Sequence, residues 1–321
     1  MSLLLLTGAS GMLGSAVLQT LVDVGRSPLR AVWHHTPPHI RHPEVEYLQG
    51  DLRDPQFCRQ AAEGVTHALL TAAHTGGAAE ARTHPWRQVN PNLEMNIHLF
   101  EALARNQRLE HLIFVSSATV YQPFEGHIRE EQLDLNQPPA SAHLGVGLVM
   151  RHLEQMCRFW QQVSGARFQV VRAANIFGPY APFDPARSNF IPALIRKAVA
   201  AQDPFEGWGN PATIRDVIYA PDVAEALLAL LRYQGEAWEA FNVGSGQQVS
   251  VQNVLDWVLR FAAHQPAAFA WLGDRHQTIP FRALDCTKIK VATGWQAHTP
   301  IEIGLQKTLE WWKTNQFSWN R

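Results

Sequence analysis

The chain has 321 residues, of which 46% are hydrophobic, and its 27 basic and 28 acidic residues give a formal net charge of -1. This length suffices for one large domain or two closely joined ones with a sizeable core, and the apolar content argues against disorder. The balanced charge leaves no basic field that could gather nucleic acid or an anionic membrane, so neither is an expected partner.

The cysteines and the N-terminal leucine run bear on location. Cys58, Cys157 and Cys286 are far apart and show no metal-ligand spacing, so idle thiols in a reducing compartment are expected. The leucines at 3–6 are too few to span a membrane and have no basic segment before them, which favours a buried strand. A cytoplasmic location is therefore predicted.

Apolar runs alternate with helical patterns through the first half of the chain. Strands are predicted at 3–7, 29–34, 67–72, 111–116 and 168–173, and helices at 12–24, 92–106 and 146–164. Near-continuous apolar strands in this order predict a parallel sheet covered on both faces, which is an α/β fold of the Rossmann-type, doubly wound kind.

The composition changes after residue 174, where prolines break the chain and tryptophan and phenylalanine become frequent. This part is predicted to form a smaller α/β capping domain. We assign 1–172, with 217–243 returning to it, to the Rossmann domain, and 175–215 with 245–321 to the cap.

A glycine-rich loop follows the first predicted strand and opens the first helix. It runs Thr7-Gly8-Ala9-Ser10-Gly11-Met12-Leu13-Gly14. Glycines at this junction allow a tight turn and let the backbone approach a pyrophosphate, whose charge the helix N-terminus favours. The loop therefore predicts a dinucleotide site formed by Gly8, Ser10, Gly11, Met12, Leu13 and Gly14.

The end of the second strand bears on the choice between NAD and NADP. It runs Ala31-Val32-Trp33-His34-His35 and lacks the acidic residue that would bind the ribose 2′-hydroxyl of NAD. His34 and His35, helped by Arg30 or Arg41, are suited to a 2′-phosphate. NADP is therefore favoured over NAD, with solvated loop histidines as the alternative.

Those histidines, with His39 and His42, also raise the question of a metal site. A metal needs converging ligands and supporting partners, and a proline-broken loop offers neither. No metal is predicted.

Other segments continue the pattern along the chain: Asp51-Leu52, Ala72-Ala73, Asn92-Leu93-Glu94-Met95-Asn96 and Val115-Ser116-Ser117-Ala118-Thr119-Val120-Tyr121. With the glycine loop, they resemble the extended short-chain dehydrogenase/reductases, especially the nucleotide-sugar epimerases and dehydratases. The resemblance runs from residue 3 to about 313. It implies that Asp51 and Leu52 hold the adenine, that Ala72, Ala73 and Asn92 line the cofactor, and that Ser117 is the catalytic serine.

The capping half extends the resemblance and implies a nucleoside-diphosphate sugar as substrate. Asn175, in Arg172-Ala173-Ala174-Asn175-Ile176-Phe177-Gly178-Pro179, matches the segment that leads into the substrate cleft, and Asn189 and Phe190 match the stretch along the nucleotide. Arg215 and Arg275 occupy the positions of two diphosphate-binding arginines. A guanidinium fork pairs with phosphate oxygens in a bidentate manner, which suits this role.

One part of the family pattern is absent. The family's chemistry depends on a Tyr-x-x-x-Lys pair, whose tyrosine exchanges a proton with the substrate. The matching stretch here is His143-Leu144-Gly145-Val146-Gly147-Leu148, so Leu144 and Leu148 occupy the tyrosine and lysine positions. His143 is next to Leu144, but consecutive helical residues point about 100° apart. Other candidate bases, without supporting geometry, are Tyr121, Arg151, His152 and Tyr180.

Two functions stay open at this point. One is an enzyme of this family with a displaced base; the other is a non-catalytic sensor or structural subunit that binds a dinucleotide. A homodimer is expected in either case, because helices like 92–106 and 146–164 pair across a two-fold axis in the related enzymes and the second carries surplus apolar residues.

Overall fold

The computed structural model describes residues 2–76, 84–273 and 281–319. The strands are β1 Leu3–Thr7, β2 Leu29–Trp33, β3 Val45–Gln49, β4 Val65–Leu70, β5 His111–Ser117, β6 Gly126–Ile128, β7 Arg167–Ala173, β8 Asn175–Phe177, β9 Phe205–Trp208, β10 Ile214–Arg215, β11 Val217–Tyr219, β12 Trp238–Val243, β13 Val249–Ser250, β14 Phe269–Leu272 and β15 Phe281–Leu284. The α-helices within these ranges are α1 Met12–Asp23, α2 Pro55–Ala62, α3 Asn90–Arg105, α4 Leu144–Ser164, α5 Phe190–Val199, α6 Ala220–Leu231, α7 Val251–Ala262, α8 Thr287–Thr293 and α9 Ile301–Trp319.

Seven parallel strands form the main sheet, in the order β12-β7-β5-β4-β1-β2-β3. From β1 the chain winds outward to β3 and then returns to β4 on the other side of β1. The carboxyl ends of β1 and β4 therefore border a crevice at the point where the winding reverses, which is where ligands bind in open α/β sheets. The doubly wound α/β prediction is confirmed.

Helix α1 shows why the predicted elements form. Leu13, Val17, Leu18 and Leu21 recur at helical spacing and are buried, which gives the helix an apolar stripe. Helix α1 packs against α6, while α3 packs between α2 and α4. The predicted strands and helices all exist, with ends displaced by at most two residues.

Two elements between 45 and 62 had no sequence prediction. Strand β3 lies at the edge of the sheet, and Glu46 and Gln49 interrupt its apolar residues, so it lacks the continuous apolar run of the inner strands. Helix α2 is short, with Asp54 as its N-cap and Pro55 in its first turn.

The remaining strands form smaller sheets. One has four strands in the order β13-β10-β15-β6, and β8 pairs with β11 as β9 pairs with β14. A second hydrophobic cluster lies among these elements and includes Phe177, Phe183, Phe205, Leu255 and Leu305, whereas the larger cluster surrounds the main sheet. The division into a Rossmann domain and a cap at the stated boundaries stays a prediction.

Within the described ranges, every helix is too short or too polar to cross a membrane.

Candidate functional site

The glycine loop joins β1 to α1 at the reversal of the sheet. Gly8 has φ +72°, and a Cβ on it would lie 2.8 Å from the Ala72 Cα atom. A Cβ on Gly14 would lie 1.9 Å from the Gly8 carbonyl oxygen, so the first turn of the helix can fold this tightly only with glycine there. Backbone bonds fix the loop, from Ala9 N to Val32 O (3.0 Å) and from Gly11 N to Gly8 O (2.9 Å).

The start of α1 is suited to an anion. Gly11 is its exposed N-cap, without a side-chain cap, and the first turn contains no acidic residue. Leu13 is buried, so only its backbone is available to a ligand, and Met12 packs against the second hydrophobic cluster. The first amides of the helix therefore offer donors and a positive dipole end, which fits the pyrophosphate of a dinucleotide.

The ends of β2 and β3 bring a polar cluster together. The rings of His34 and His35 are 3.6 Å apart, and His34 Nε2 lies 3.7 Å from Asp51 Oδ2. Arg53 holds Asp51 through both carboxylate oxygens, with a shortest distance of 2.6 Å. These hydrogen bonds lower the pKa of Asp51 to about 2, so its carboxylate stays ionised. Leu52 is buried beside them.

The arginine nearest this cluster is not one of those suggested by sequence. Arg30 pairs with Glu46 and donates to the carbonyls of Ala61 and Glu63 at the end of α2. The Arg41 guanidinium stacks 4.8 Å from the Tyr47 ring. Sequence reasoning missed Arg53, although its place two residues after Asp51 was an available signal.

The four loop histidines do not form a metal centre among the described residues. The one group there with three possible ligand atoms within 4.8 Å of one another is Asp222, Glu225 and His298. Both Asp222 oxygens already accept hydrogen bonds from Thr299, one from its backbone N–H and one from its hydroxyl. This group fastens the segment before α9 to α6.

Hydrogen bonds connect the loop after β4 to Thr7, the residue that precedes the glycines of the glycine loop. Thr71 donates its hydroxyl to Thr7 O (2.6 Å), and Ala72 N donates to the Thr7 hydroxyl. The Asn92 side chain, 2% exposed, bonds both the N–H and the carbonyl of His74. Asn92 therefore positions the loop that carries Ala72 and the exposed Ala73.

Ser117 ends β5, the next strand in the sheet. Its hydroxyl accepts a hydrogen bond from Thr119 N (3.2 Å) and is half-buried. Helix α4 packs against this turn, and a Cβ on Gly147 would lie 2.6 Å from Thr119 O. Leu144 and Leu148, one turn apart on α4, are 43% and 51% exposed, which is unusual for leucine and leaves an apolar surface at this corner.

A buried polar network joins β5, α4 and β7 next to the Ser117 turn. Glu154 on α4 and Arg172 on β7 form an ion pair at 2.8 Å with side chains 1% and 4% exposed. Ser116 donates to Glu154 (2.6 Å), and Arg172 donates to the hydroxyl of Tyr121, which donates to Asn242. Burial raises the pKa of Tyr121 to about 12.

Two of the candidate bases are excluded because their side chains already form hydrogen bonds inside the protein. Tyr121 is buried, fully bonded and a very weak acid, and Arg151 is bound to the carbonyls of Val120 (2.6 Å) and Gln137 (2.5 Å). Tyr180 stacks on His39 with ring centroids 4.9 Å apart, and His152 lies exposed further along α4.

His143 differs from the other candidates because helix α4 begins after it. A short 3-10 turn spans Ser141–His143, and His143 is the N-cap with φ -130° and ψ 20°. Its side chain is open to solvent, but nearby protein atoms displace part of its hydration. That desolvation, followed by the charges of Arg282 and Arg215, lowers its pKa and so favours the neutral imidazole.

Those two arginines are neighbours on adjacent strands. Arg215 on β10 and Arg282 on β15 are register partners in a parallel pair, so their side chains project from the same face. Desolvation and the Arg282 charge lower the pKa of Arg215 to about 10, and the Arg282 guanidinium lies 4.9 Å from the Phe124 ring centroid. Two desolvated cations side by side favour binding of an anion between them.

The other predicted substrate residues fall into two groups. Asn175 donates to Asp216 O (2.9 Å), directly beside Arg215, while Asn189 and Phe190 form the start of α5. Arg275 lies outside the described residues. Sequence reasoning missed Arg282, because its proximity to Arg215 depends on a long-range strand pairing.

Comparisons with known proteins agree with this geometry. The model of the "NAD dependent epimerase/dehydratase family" matches residues 4–244. A "Probable GDP-L-fucose synthase 1" of Oryza sativa subsp. japonica is 26% identical over 316 residues, which are 97% of this chain and 92% of that protein.

Solved structures share the whole fold. The UDP-glucose 4-epimerase of Thermotoga maritima with UDP-glucose superposes with TM-score 0.85 at 19% identity and covers 98% of this chain and 99% of its own. The UDP-glucose 4-epimerase of Thermus thermophilus in complex with NAD has TM-score 0.81 at 22% identity, covering 97% and 99%. With the family model matched over most of its length, the chain belongs to the NAD dependent epimerase/dehydratase family.

Proposed function

We propose that this chain binds NAD(P) and a nucleoside-diphosphate sugar together in one cleft and acts on the sugar as an oxidoreductase or isomerase of its family. The observation that carries the proposal is the pairing of Arg215 and Arg282 as register partners on adjacent parallel strands, with both side chains on the same face. Their charges also act on His143, at the start of the helix that packs on the Ser117 turn. A diphosphate held by these arginines would direct its sugar toward this turn.

The cofactor half of the proposal uses the glycine loop. The amides of Met12 and Leu13 would hold the pyrophosphate beside the bare backbone of Gly8 and Gly11, Asp51 and Leu52 would hold the adenine, and Ala72 and Ala73 would line the ribose side. Asn92 contributes by fixing the Ala72–Ala73 loop. The NAD complex of the Thermus thermophilus epimerase supports this assignment by analogy.

We favour NADP over NAD. The strand β2 ends without an acid, and His34 and His35 lie there with Arg53, which reaches them through Asp51. Arg53 is a better helper than Arg30 or Arg41 because its partner Asp51 belongs to this same cluster, whereas Arg30 and Arg41 are held by groups outside it. A 2′-phosphate would compete with Asp51 for Arg53.

The sugar half rests on the arginine pair, with Asn175 beside it and Asn189 and Phe190 at the start of α5. The relatives named as a GDP-L-fucose synthase and a UDP-glucose 4-epimerase support a nucleoside-diphosphate sugar as the ligand class. The nucleotide base and the sugar are not fixed by these residues.

We further propose that Leu144 and Leu148 replace the usual tyrosine and lysine. Their exposed side chains on one face of α4 favour this interpretation and also favour the second candidate function, a non-catalytic dinucleotide-binding sensor or structural subunit. The two functions share the binding step and differ in turnover.

We propose a homodimer as the assembled form. Phe159 and Val163 are 49% and 58% exposed on α4, one turn apart, and extend its apolar surface. Light scattering at micromolar concentration would show a dimer, and Phe159→Glu would give a monomer by placing a charge in the interface.

Calorimetric titration tests the binding proposal. NADP⁺, UDP-glucose and GDP-mannose are titrated separately into the purified protein. The double variant Arg215→Met/Arg282→Met should lose at least about a hundredfold in sugar-nucleotide affinity and keep its NADP⁺ affinity, since charged hydrogen bonds contribute about 1.5–3 kcal/mol each. Arg105→Met, which removes an exposed arginine paired with Glu101 on α3, is the control. Absence of NADP⁺ and NAD⁺ binding to the unmodified protein would contradict the proposal.

A further inference from the structure

His143, a titratable residue, directly precedes α4 and does not belong to the helix. His143 has non-helical backbone angles, and the helix proper begins at Leu144. The angular separation of consecutive helical residues therefore does not apply between positions 143 and 144. His143 ends a 3-10 turn directly before α4, and Gly147, four residues later, packs this end of the helix against Thr119 in the turn after Ser117.

The charges that act on His143 come from two strands opposite. Arg215 on β10 and Arg282 on β15 both disfavour its protonation, and no carboxylate among the described residues opposes them. Together with desolvation, these charges lower the pKa of His143 and favour the neutral imidazole, which can accept a proton. Two other candidates are committed elsewhere, because Tyr121 belongs to the buried network and Arg151 is bound to two backbone carbonyls, whereas His152 lies two turns further along α4 and Tyr180 stacks on His39.

We propose that His143 is the acid–base residue of this cleft, in place of the missing tyrosine, and that the substrate diphosphate activates it. The inference rests on the proposed function above. NAD(P)⁺ held at the glycine loop would supply the oxidant, since it can accept a hydride from a sugar carbinol carbon. His143 takes the proton of that hydroxyl as the C–H and O–H bonds break and the carbonyl forms. The reverse step returns the proton from the imidazolium.

Activation by the substrate follows from the arginine pair. A diphosphate on Arg215 and Arg282 neutralises the two charges that disfavour imidazolium, so binding raises the pKa of His143 from its lowered value. Between the free and bound pKa values, binding takes up a proton. Sugar-nucleotide affinity should therefore rise as the pH falls through that window.

Proton uptake gives a readout that does not depend on turnover. UDP-glucose and GDP-mannose suit the measurement because their diphosphate diesters do not titrate near neutral pH. Each is titrated calorimetrically in two buffers of different ionisation enthalpy, with wild-type protein, His143→Gln and the control His98→Gln. His98 lines a surface hollow with Gly64, which directly precedes β4 and so lies at the amino-terminal ends of the strands, opposite the carboxyl ends that border the crevice.

The expected result is uptake of a fraction of a proton by wild type and His98→Gln, and none by His143→Gln, with ligand still bound by all three. Binding without uptake, or uptake that survives in His143→Gln, overturns the inference and leaves the proposed function standing. Absence of binding to wild type with both sugar nucleotides contradicts the proposed function itself.

Nicotinamide absorbance in the presence of NADP⁺ or NAD⁺ then separates proton transfer from simple binding. His143→Gln should slow the reaction about 10²–10⁴-fold, the usual contribution of acid–base catalysis, and added imidazole should restore part of the rate. A merely structural role would not respond to imidazole. Wild-type protein that takes up the proton but transfers no hydride from either sugar nucleotide contradicts the acid–base role.

Discussion

Two junctions, each where the carboxyl end of a strand of the main sheet meets the start of a helix, differ in what defines them. At the end of β1, the glycine loop is shaped by close backbone approaches, such as Gly14 against Gly8, and offers amides to a ligand. At the corner between β5 and α4, the backbone is equally tight at Gly147, but the chemistry depends on the side chains at 143, 144 and 148. A site made of backbone atoms is determined by the steric requirements of the fold itself. A site made of side chains can change by substitution while the fold stays the same.

The largest expected effect tests the support beneath the second junction. Glu154→Ala leaves Arg172 buried without its partner, so the free energy of unfolding should fall by about 3–5 kcal/mol. Glu131→Ala breaks the exposed pair with Arg129 and should change it by less than about 1 kcal/mol. Urea denaturation measures both. Equal small losses would show that the buried network does not hold the corner in place.

The next effect tests the first junction. Gly11→Asp places a carboxylate at the helix N-terminus where the pyrophosphate belongs, and NADP⁺ affinity should fall at least about a hundredfold, or ~2.7 kcal/mol. Gly11→Ala adds only a Cβ at 3.4 Å from Gly8 O and should retain most of the affinity. Calorimetry distinguishes the two variants, and unchanged binding by the aspartate variant would refute the loop assignment.

A third substitution places a lysine at position 148 in the second junction, where the family pattern has one. Leu148→Lys should strengthen NADP⁺ binding about tenfold or more, because a charge-assisted hydrogen bond to the ribose contributes about 1.5–3 kcal/mol. Leu135→Lys changes a leucine of similar exposure outside the corner and should have no such effect. If both variants bind alike, position 148 does not face the cofactor.

The smallest effect concerns cofactor choice. His34→Asp places an acid at the end of β2, which should bind the ribose 2′-hydroxyl and repel a 2′-phosphate, shifting the NADP⁺/NAD⁺ affinity ratio roughly tenfold toward NAD⁺. His42→Asp adds the same charge further along the loop. A wild-type protein that already prefers NAD⁺ would reverse this proposal.

The difference between the junctions also explains what the sequence could predict. The inner strands along the chain and the glycine loop depend on local patterns, and both were predicted. Strand β3 was not, because an edge strand lacks a continuous apolar run. Arg282 was missed because its pairing with Arg215 joins residues 67 positions apart through β10 and β15.

His143 shows how a small boundary error changes a chemical argument. Treating positions 143 and 144 as consecutive helical residues placed the imidazole on a different face from Leu144. The helix begins at Leu144, so that geometry does not hold. Helix ends depend on capping and tertiary contacts, such as Gly147 against Thr119, that propensity alone does not specify.

A crystal structure with NADP⁺ and UDP-glucose bound tests the central claim most directly. The account predicts the dinucleotide pyrophosphate on the first amides of α1, the sugar diphosphate between Arg215 and Arg282, and a sugar hydroxyl within hydrogen-bond distance of His143. A diphosphate bound elsewhere, or His143 turned away from the sugar with Leu144 and Leu148 enclosing it alone, would contradict the account.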